Sequence, residues 1–338
     1  MERVQLFAVQ PRVDVDTYAS GAAFASAVRR QADQVAARRV DGLPALAVWP
    51  EMIASFLPLA GRLDHVARCR TTGSAMRRVA LSELRALVAS AWGTRPRSFD
   101  EAFVTAVAPA VWRTWWTTFA SVAADYGLWV VAGSALVPIN ALGITSAAFE
   151  PASARFYNTS LTFAPDGSAV SVTRKVNAVP TQEDVLHMSG ADPADLSAVE
   201  TPFGILGTAI CYDGFREAHT SGEPGFVPCA PLLDGLGVEV VAQPSANAWP
   251  WDGPWAFNEA NEHQRRSEQW FAEGLYSAMA ALRHVRYAVN PQLVGRLFDV
   301  NFEAPSLILE RRPTGDVAVL ARSADPTNED VLDVVVGG

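Results

Sequence analysis

Short apolar runs alternate along the chain with longer stretches whose apolar residues recur at helical spacing. Val4–Val9, Ala45–Trp49, Leu128–Ala132, Asn158–Phe163, Gly204–Ile210, Val238–Gln243, Tyr287–Val289 and Ser306–Leu309 each predict a buried strand. Ala22–Arg38, Ala75–Trp92, Trp112–Tyr126 and Glu259–Leu282 predict helices. The second of these has Met76, Val79, Leu84, Leu87 and Val88 along one stripe. Ser98 and Glu101 form a capping box for a further short helix, which Pro109 ends or kinks. Asp166-Gly167 and Thr314-Gly315-Asp316 read as hairpin turns. Strands interleaved with helices predict an α/β fold with both sheet faces covered. No repeat, low-complexity tract or linker divides residues 1–338, so a single domain is expected.

One stretch calls for a membrane check, because no charge falls between Asp125 and Glu150. Gly127, Gly133, Pro138, Asn140 and Gly143 break it, and its apolar runs are short. A buried strand from Leu128 to Val137 followed by a loop fits better than a membrane span. The opening Met1–Gln10 is soon followed by Pro11, Asp14 and Asp16 and reads as a first strand rather than a signal peptide.

Composition narrows the function. With 49% hydrophobic and 19% charged residues in 338 positions, the chain has material for a sizeable core. The net charge of −9 argues against nucleic-acid partners. Three cysteines, Cys69, Cys211 and Cys229, make neither a disulfide framework nor a zinc site, which fits a reducing, cytoplasmic compartment.

Three residues then stand out. Of 27 cationic residues 26 are arginine, and the single lysine is Lys175. An ammonium is compact and has a tunable pKa, unlike guanidinium, although a codon bias towards arginine leaves a chance survivor as an equal reading. Cys211 follows the apolar run 204–210 and precedes the strand-breaking Tyr212-Asp213-Gly214. A thiol there faces the carboxyl end of a strand, where open α/β sheets bind ligands. An inert core cysteine is the plainer alternative. Glu51 ends the run Leu-Ala-Val-Trp-Pro and sits at an equivalent strand end, or else is an ordinary helix-terminal acid.

Taken together, Ala47-Val-Trp-Pro-Glu51, Arg174-Lys175 and Ala209-Ile-Cys211-Tyr-Asp213 resemble, in order and surroundings, the nitrilase or carbon–nitrogen hydrolase superfamily. Gln10, Gly127–Ser134, Tyr157-Asn158, Pro180 with Glu183, and Gln243–Trp249 agree with that pattern across nearly the whole chain. Two features depart from it. The stretch between Glu51 and Gly133 is longer than usual, mainly at about 61–105. Ala-Leu-Arg283-His284-Val-Arg286-Tyr287 also replaces a usual Arg-Ala-x-Glu-Asn segment.

The resemblance implies a four-layer αββα sandwich, usually paired as a homodimer or higher homo-oligomer. It implies a Cys211 thioester, Glu51 as base, and Lys175 with the Tyr212 backbone N–H as oxyanion donors. Glu183 would support them, and no metal or organic cofactor is needed. Tyr212-Asp213 resembles amidase-like members, whereas true nitrilases usually carry Trp-Glu after the cysteine. A small-molecule amide is therefore expected as substrate. A nitrile, an N-carbamoyl compound, an acyl transfer, a Cys–His hydrolase using His187 or His219, and a catalytically silent binding protein are the alternatives. Phe56, Asn247, Trp249 and Trp251 are the expected pocket residues. Phe56 lies in an aromatic-rich segment with Trp92, Phe99, Phe103, Trp112, Trp115, Trp116 and Phe119, which is expected to wall the site opposite the Trp249 loop and to select a substrate with a bulky apolar part. Packing on the sheet or at a dimer contact is the alternative for the helically spaced Trp112, Trp115, Trp116 and Phe119.

Overall fold

The computed structural model describes residues 2–258 and 263–338, without the side chains of residues 90–92. Two sheets organise them. The first runs Asp330–Val336, Val4–Gln10, Ala45–Trp49, Trp129–Ala132, Pro151–Phe163 and Ala135–Asn140, with Ala169–Arg174 also paired to Pro151–Phe163. The second runs Val317–Arg322, Leu307–Arg311, Tyr287–Asn290, Val240–Ala242, Gly204–Thr208 and Ala198–Thr201. A small third sheet joins Val300–Phe302, Val294–Leu297 and Arg12–Val13.

The two-residue period of a strand explains the layering. In the strand Ala45–Trp49, Leu46 and Val48 point into an apolar layer shared with Leu206, Val240, Ala242 and Val289 of the other sheet. Their neighbours Ala45, Ala47 and Trp49 point the other way, against Phe24 and Val28 of helix Gly21–Ala37 and Trp115 and Phe119 of helix Phe99–Tyr126. On the far side, Val241 and Ala288 of the second sheet meet Leu233 of helix Cys229–Gly235 and Met279 of helix Leu275–Met279. The result is a four-layer αββα sandwich. Because both sheet faces are covered, the central strands read as continuous apolar runs.

Several expectations change in detail. Ala75–Trp92 divides into helices Thr72–Ser82 and Leu84–Thr94. The short helix expected from Ser98 and the one expected from Trp112 are a single helix, Phe99–Tyr126, which continues through Pro109. Burial of both halves against the first sheet outweighs the hydrogen bond that proline removes. Ser98 accepts from the Glu101 N–H, but the Glu101 carboxylate caps the Arg97 N–H instead of closing the box. Gly127, at φ 60°, ends this helix in the left-handed region. The stretch Leu128–Val137 is two strands, Trp129–Ala132 and Ala135–Asn140. The predicted start at Glu259 lies outside the described residues. Beyond it only Arg266–Glu273 and Leu275–Met279 are helical. Both hairpin turns form, between Pro151–Phe163 and Ala169–Arg174 and between Leu307–Arg311 and Val317–Arg322. Among the described residues no helix is long and apolar enough to cross a membrane.

Candidate active site

Glu51 and Cys211 leave the carboxyl ends of strands in different sheets, and Lys175 follows the strand Ala169–Arg174. The Glu51 turn is held by a close backbone approach. A Cβ on Gly133, whose φ is +60°, would lie 2.1 Å from the Pro50 carbonyl oxygen, so only glycine fits. Beside it, Ser134 Oγ accepts from the Met52 N–H at 2.8 Å and the Ser134 carbonyl accepts from the Ala54 N–H at 3.1 Å. The nucleophile turn is strained. Cys211 has φ +47° in the 3-10 turn Cys211–Gly214, a conformation uncommon outside glycine. Its N–H donates to the Pro244 carbonyl, and its carbonyl accepts from Gln243 Nε2, each at 2.8 Å.

The fold brings Lys175, Glu51 and Glu183 together in the interior. Lys175 Nζ lies 2.7 Å from Glu51 Oε1 and 2.7 Å from Glu183 Oε2. The Cys211 thiol lies close enough to Glu51 to act on its proton affinity. The Ala246 N–H donates to Glu51 Oε2 at 3.1 Å. Asn158 joins the two carboxylates, donating from Nδ2 to Glu51 Oε1 at 2.8 Å and to Glu183 Oε1 at 2.9 Å. Its backbone carbonyl accepts from the Lys175 N–H at 2.9 Å. The Val179 N–H donates to Glu183 Oε2, also at 2.9 Å.

The electrostatics follow from burial. Burial pushes Glu51 up to about 7, against the pull of Lys175 and with help from the Glu183 charge. Burial works against the Lys175 ammonium, but Glu183 and Glu51 outweigh it and hold its pKa well above the usual lysine value. Burial, reinforced by Glu51, pushes the Cys211 thiol up to about 12. The thiol therefore keeps its proton at rest, with the Glu51 carboxylate beside it.

Asp213 ties the nucleophile turn to the lysine loop. Its carboxylate accepts from the Val176 N–H, the Asn177 N–H and Asn177 Nδ2 at 2.8 to 3.2 Å, and burial raises it to about 6. Cys229 lies buried beside Asn177. Neither His187 nor His219 hydrogen-bonds to Cys211 among the described residues. The His187 side chain is 67% exposed. His219 is stacked on Tyr212 with ring centroids 4.0 Å apart, and burial lowers it to about 2, so it stays neutral.

The expected pocket residues divide. Trp251 and Trp249 pack in the same apolar cluster as Cys211, Tyr212 and Phe215. Phe56 belongs instead to the core on the helix side of the first sheet, against Tyr18 and Phe302. Asn247 spends its side chain on the Trp249 carbonyl, the Glu303 carbonyl and Arg266 Nε, at 2.7, 2.8 and 2.9 Å. Trp112, Trp115 and Trp116 pack on the sheet, with their indole N–H groups on the carbonyls of Ser146, Ala132 and Ile144. The Trp92 side chain lies outside the described residues. Cavities of about 280 and 490 Å³ border the Lys175 strand through Arg174, but Cys211, 4% exposed, lines neither.

Sequence reasoning named Asn158 and Asp213 only as neighbours of the key residues. For Asn158 the available signal was an amide at the start of a segment predicted to be a buried strand, where a buried polar group needs a partner.

The family model described as carbon-nitrogen hydrolase matches residues 34–218. No curated protein matches the sequence. Solved structures match over nearly the whole chain. A mutant amidase from Nesterenkonia sp. AN1, with acrylamide added at its active-site cysteine, is 15% identical with a TM-score of 0.56, covering 100% of this chain and 94% of its own. A carbon-nitrogen hydrolase from Helicobacter pylori G27 is 15% identical with a TM-score of 0.58, covering 99% and 89%. Nit3 of Saccharomyces cerevisiae, described as a member of branch 10 of the nitrilase superfamily, is 16% identical with a TM-score of 0.55, covering 99% and 90%.

Proposed function

Because the chain belongs to the carbon–nitrogen hydrolase family, we propose that it hydrolyses a small-molecule amide through a thioester on Cys211. The observation that carries this reading is one buried cluster. Lys175 Nζ stands 2.7 Å from each of two carboxylates, and the buried Cys211 thiol lies beside one of them, Glu51. The cysteine adducts of the Nesterenkonia amidase support it by analogy.

In this mechanism the Cys211 sulfur attacks the amide carbonyl carbon as Glu51 takes the thiol proton. The oxyanion that forms is stabilised by the Lys175 ammonium and the Tyr212 N–H. Glu51 returns the proton to the nitrogen, the C–N bond breaks, and ammonia or an amine leaves. Water then attacks the thioester, losing a proton to Glu51. The second tetrahedral intermediate collapses to the acid and the protonated thiol. Glu183 and Asn158 hold Lys175 and Glu51 in place, and Trp249 and Trp251 supply apolar contact for the substrate. The enzyme works as a homodimer, so light scattering at dilute concentration should find about twice the 36.3 kDa chain mass.

A panel of amides, N-carbamoyl compounds and nitriles, scored for ammonia release, tests the reading. Amides should be turned over by the wild type and not by Cys211→Ala. Conversion of nitriles to acids with matching amides untouched would overturn the bond assignment.

A further inference from the structure

The hairpin that delivers Lys175 is polar on its inner face. Strands Pro151–Phe163 and Ala169–Arg174 pair antiparallel, with Ser160 opposite Thr173 and Thr162 opposite Ser171. Asn158 and Lys175 form the next rung, joined by the Lys175 N–H and the Asn158 carbonyl. Leu161, Phe163 and Val172 pack on the helix side of the sheet. By the two-residue period of a strand, Ser160, Thr162, Ser171 and Thr173 point the other way, into the layer between the sheets. Thr162 is paired with Val131, which lies in that layer. Over the neighbouring strands the layer is packed with Leu6, Leu46, Val48, Leu206 and Val240. Here polar rungs replace them in a row, from Asn158 and Lys175 in the buried cluster to Thr162 and Ser171. At the outer end Ser171 Oγ meets Ser197 Oγ at 3.3 Å, in an exposed position.

Two of these side chains have an unpaired polar atom. Asn158 and Ser160 are 0% and 1% exposed, yet Asn158 Oδ1 and Ser160 Oγ have no hydrogen-bond partner among the described residues. The Asn158 amide is fixed in orientation, because its Nδ2 donates to both Glu51 Oε1 and Glu183 Oε1. A flipped amide would set its oxygen against two carboxylates. Oδ1 is therefore a spare acceptor, and amide dimensions keep it within roughly 5 Å of Glu51 Oε1. One water spans such a gap, donating a hydrogen to each oxygen. Ser160, two residues along on the same face, can donate to that water. Buried polar groups cost stability unless something pairs with them, and a water here pairs with both.

We infer that this polar face is a water route, and that the water that cleaves the thioester waits between Asn158 Oδ1, Ser160 Oγ and Glu51. The inference rests on the hydrolase reading of Cys211 for its chemistry. Cys211, Glu51 and Lys175 are buried, and an acyl group on the sulfur blocks the path by which the substrate came. Water supplied along the hairpin reaches Glu51 without displacing that group. Its oxygen bonds to the thioester carbon as its proton passes to Glu51. The C–S bond then breaks, its electron pair stays on sulfur, and the sulfur takes that proton.

The test is how the acyl-enzyme formed from the fastest amide of the panel partitions between water and hydroxylamine. Hydroxylamine attacks the same thioester from the position the amine has left, and gives a hydroxamic acid. Thr173→Val exchanges a hydroxyl for a methyl of similar size, and Ser160→Ala removes the proposed donor. At fixed hydroxylamine each should raise the ratio of hydroxamate to acid about fivefold, the scale of one lost hydrogen bond, with kcat/KM for the summed products unchanged. Thr159→Val, on the helix side of the same strand, should leave the ratio unchanged. Ser160→Ala carries the test alone if Thr173→Val fails to fold.

A second arm needs no turnover. A high-resolution crystal structure of the wild type should show an ordered water bonded to both Asn158 Oδ1 and Ser160 Oγ. An unchanged ratio in the folded variants overturns the route and leaves the hydrolase reading intact, and so does a dry site in an active wild type. An equal rise in Thr159→Val also overturns it, since that marks a general loosening of the strand. The water present in a protein that turns over no amide supports the water site and rejects the hydrolase reading.

Discussion

Replacing Lys175 by methionine keeps most of the side-chain volume and removes the charge between Glu51 and Glu183. Lys175 is 1% exposed, and each carboxylate sits 2.7 Å from its nitrogen. Removing one partner of a buried ion pair costs about 3–5 kcal/mol. Here the donors Asn158, Ala246 and Val179 remain, which favours the lower part of that range. The orphaned Glu51 responds by holding its proton. In the wild type burial already raises Glu51 to about 7, and without Lys175 it rises further. An acid whose folded pKa exceeds its unfolded value, near 4.3 for glutamate, destabilises the fold progressively as pH climbs from the unfolded pKa to the folded one. The wild-type and variant stabilities should therefore lie closest in mild acid. They should diverge with rising pH by up to about 1.4 kcal/mol per unit over the range in which Glu51 is protonated in the folded variant and ionised in the wild type. Urea unfolding followed by circular dichroism at pH 5.5, 7 and 8, with reversibility checked, measures this divergence. A gap below about 1 kcal/mol at pH 8, or one that does not grow with pH, would refute the counter-ion role.

Other consequences are simpler to read. Because Glu51 must be ionised to accept the thiol proton, kcat/KM should rise with pH through about 7 and fall away below it. Asn158→Ala removes a donor to the ionised form, so that limb should move to higher pH; an unmoved limb counts against the clamp. Gly133→Ala drives a methyl into the Pro50 carbonyl and displaces Glu51, so activity should drop by at least about tenfold, a barrier change of about 1.4 kcal/mol, on a measurably less stable fold. Asp213→Ala unties the Lys175 loop, and kcat should fall with a loss of about 2–3 kcal/mol in unfolding free energy, read from urea curves.

Much of this architecture is legible in the sequence, for a physical reason. Strands covered on both faces are uninterrupted apolar runs, so Val4–Gln10, Ala45–Trp49 and Tyr287–Asn290 emerge with bounds within about a residue or two of those read from the chain. Edge strands carry no such signal. Asp330–Val336, Val317–Arg322 and Ala198–Thr201 mix charged and apolar residues because one side meets solvent, and the sequence reading passed over them. Helix Phe99–Tyr126 was divided because Pro109 is a strong local breaker, while the burial that overrides it is tertiary. At the site, Glu51, Lys175 and Cys211 were visible through their strand-end settings. The positioning roles of Asn158 and Ala246 were not, because each acts through one amide or backbone N–H placed by chain segments far apart in sequence.

The most direct test of a Cys211 thioester is the mass of the protein acid-quenched before one turnover is complete. Ammonia leaves when the acyl group is transferred to sulfur, so both should appear together. The account predicts one acyl group per ammonia released, on the peptide that contains Cys211. Ammonia released in that first turnover without an acyl group on Cys211 would contradict it.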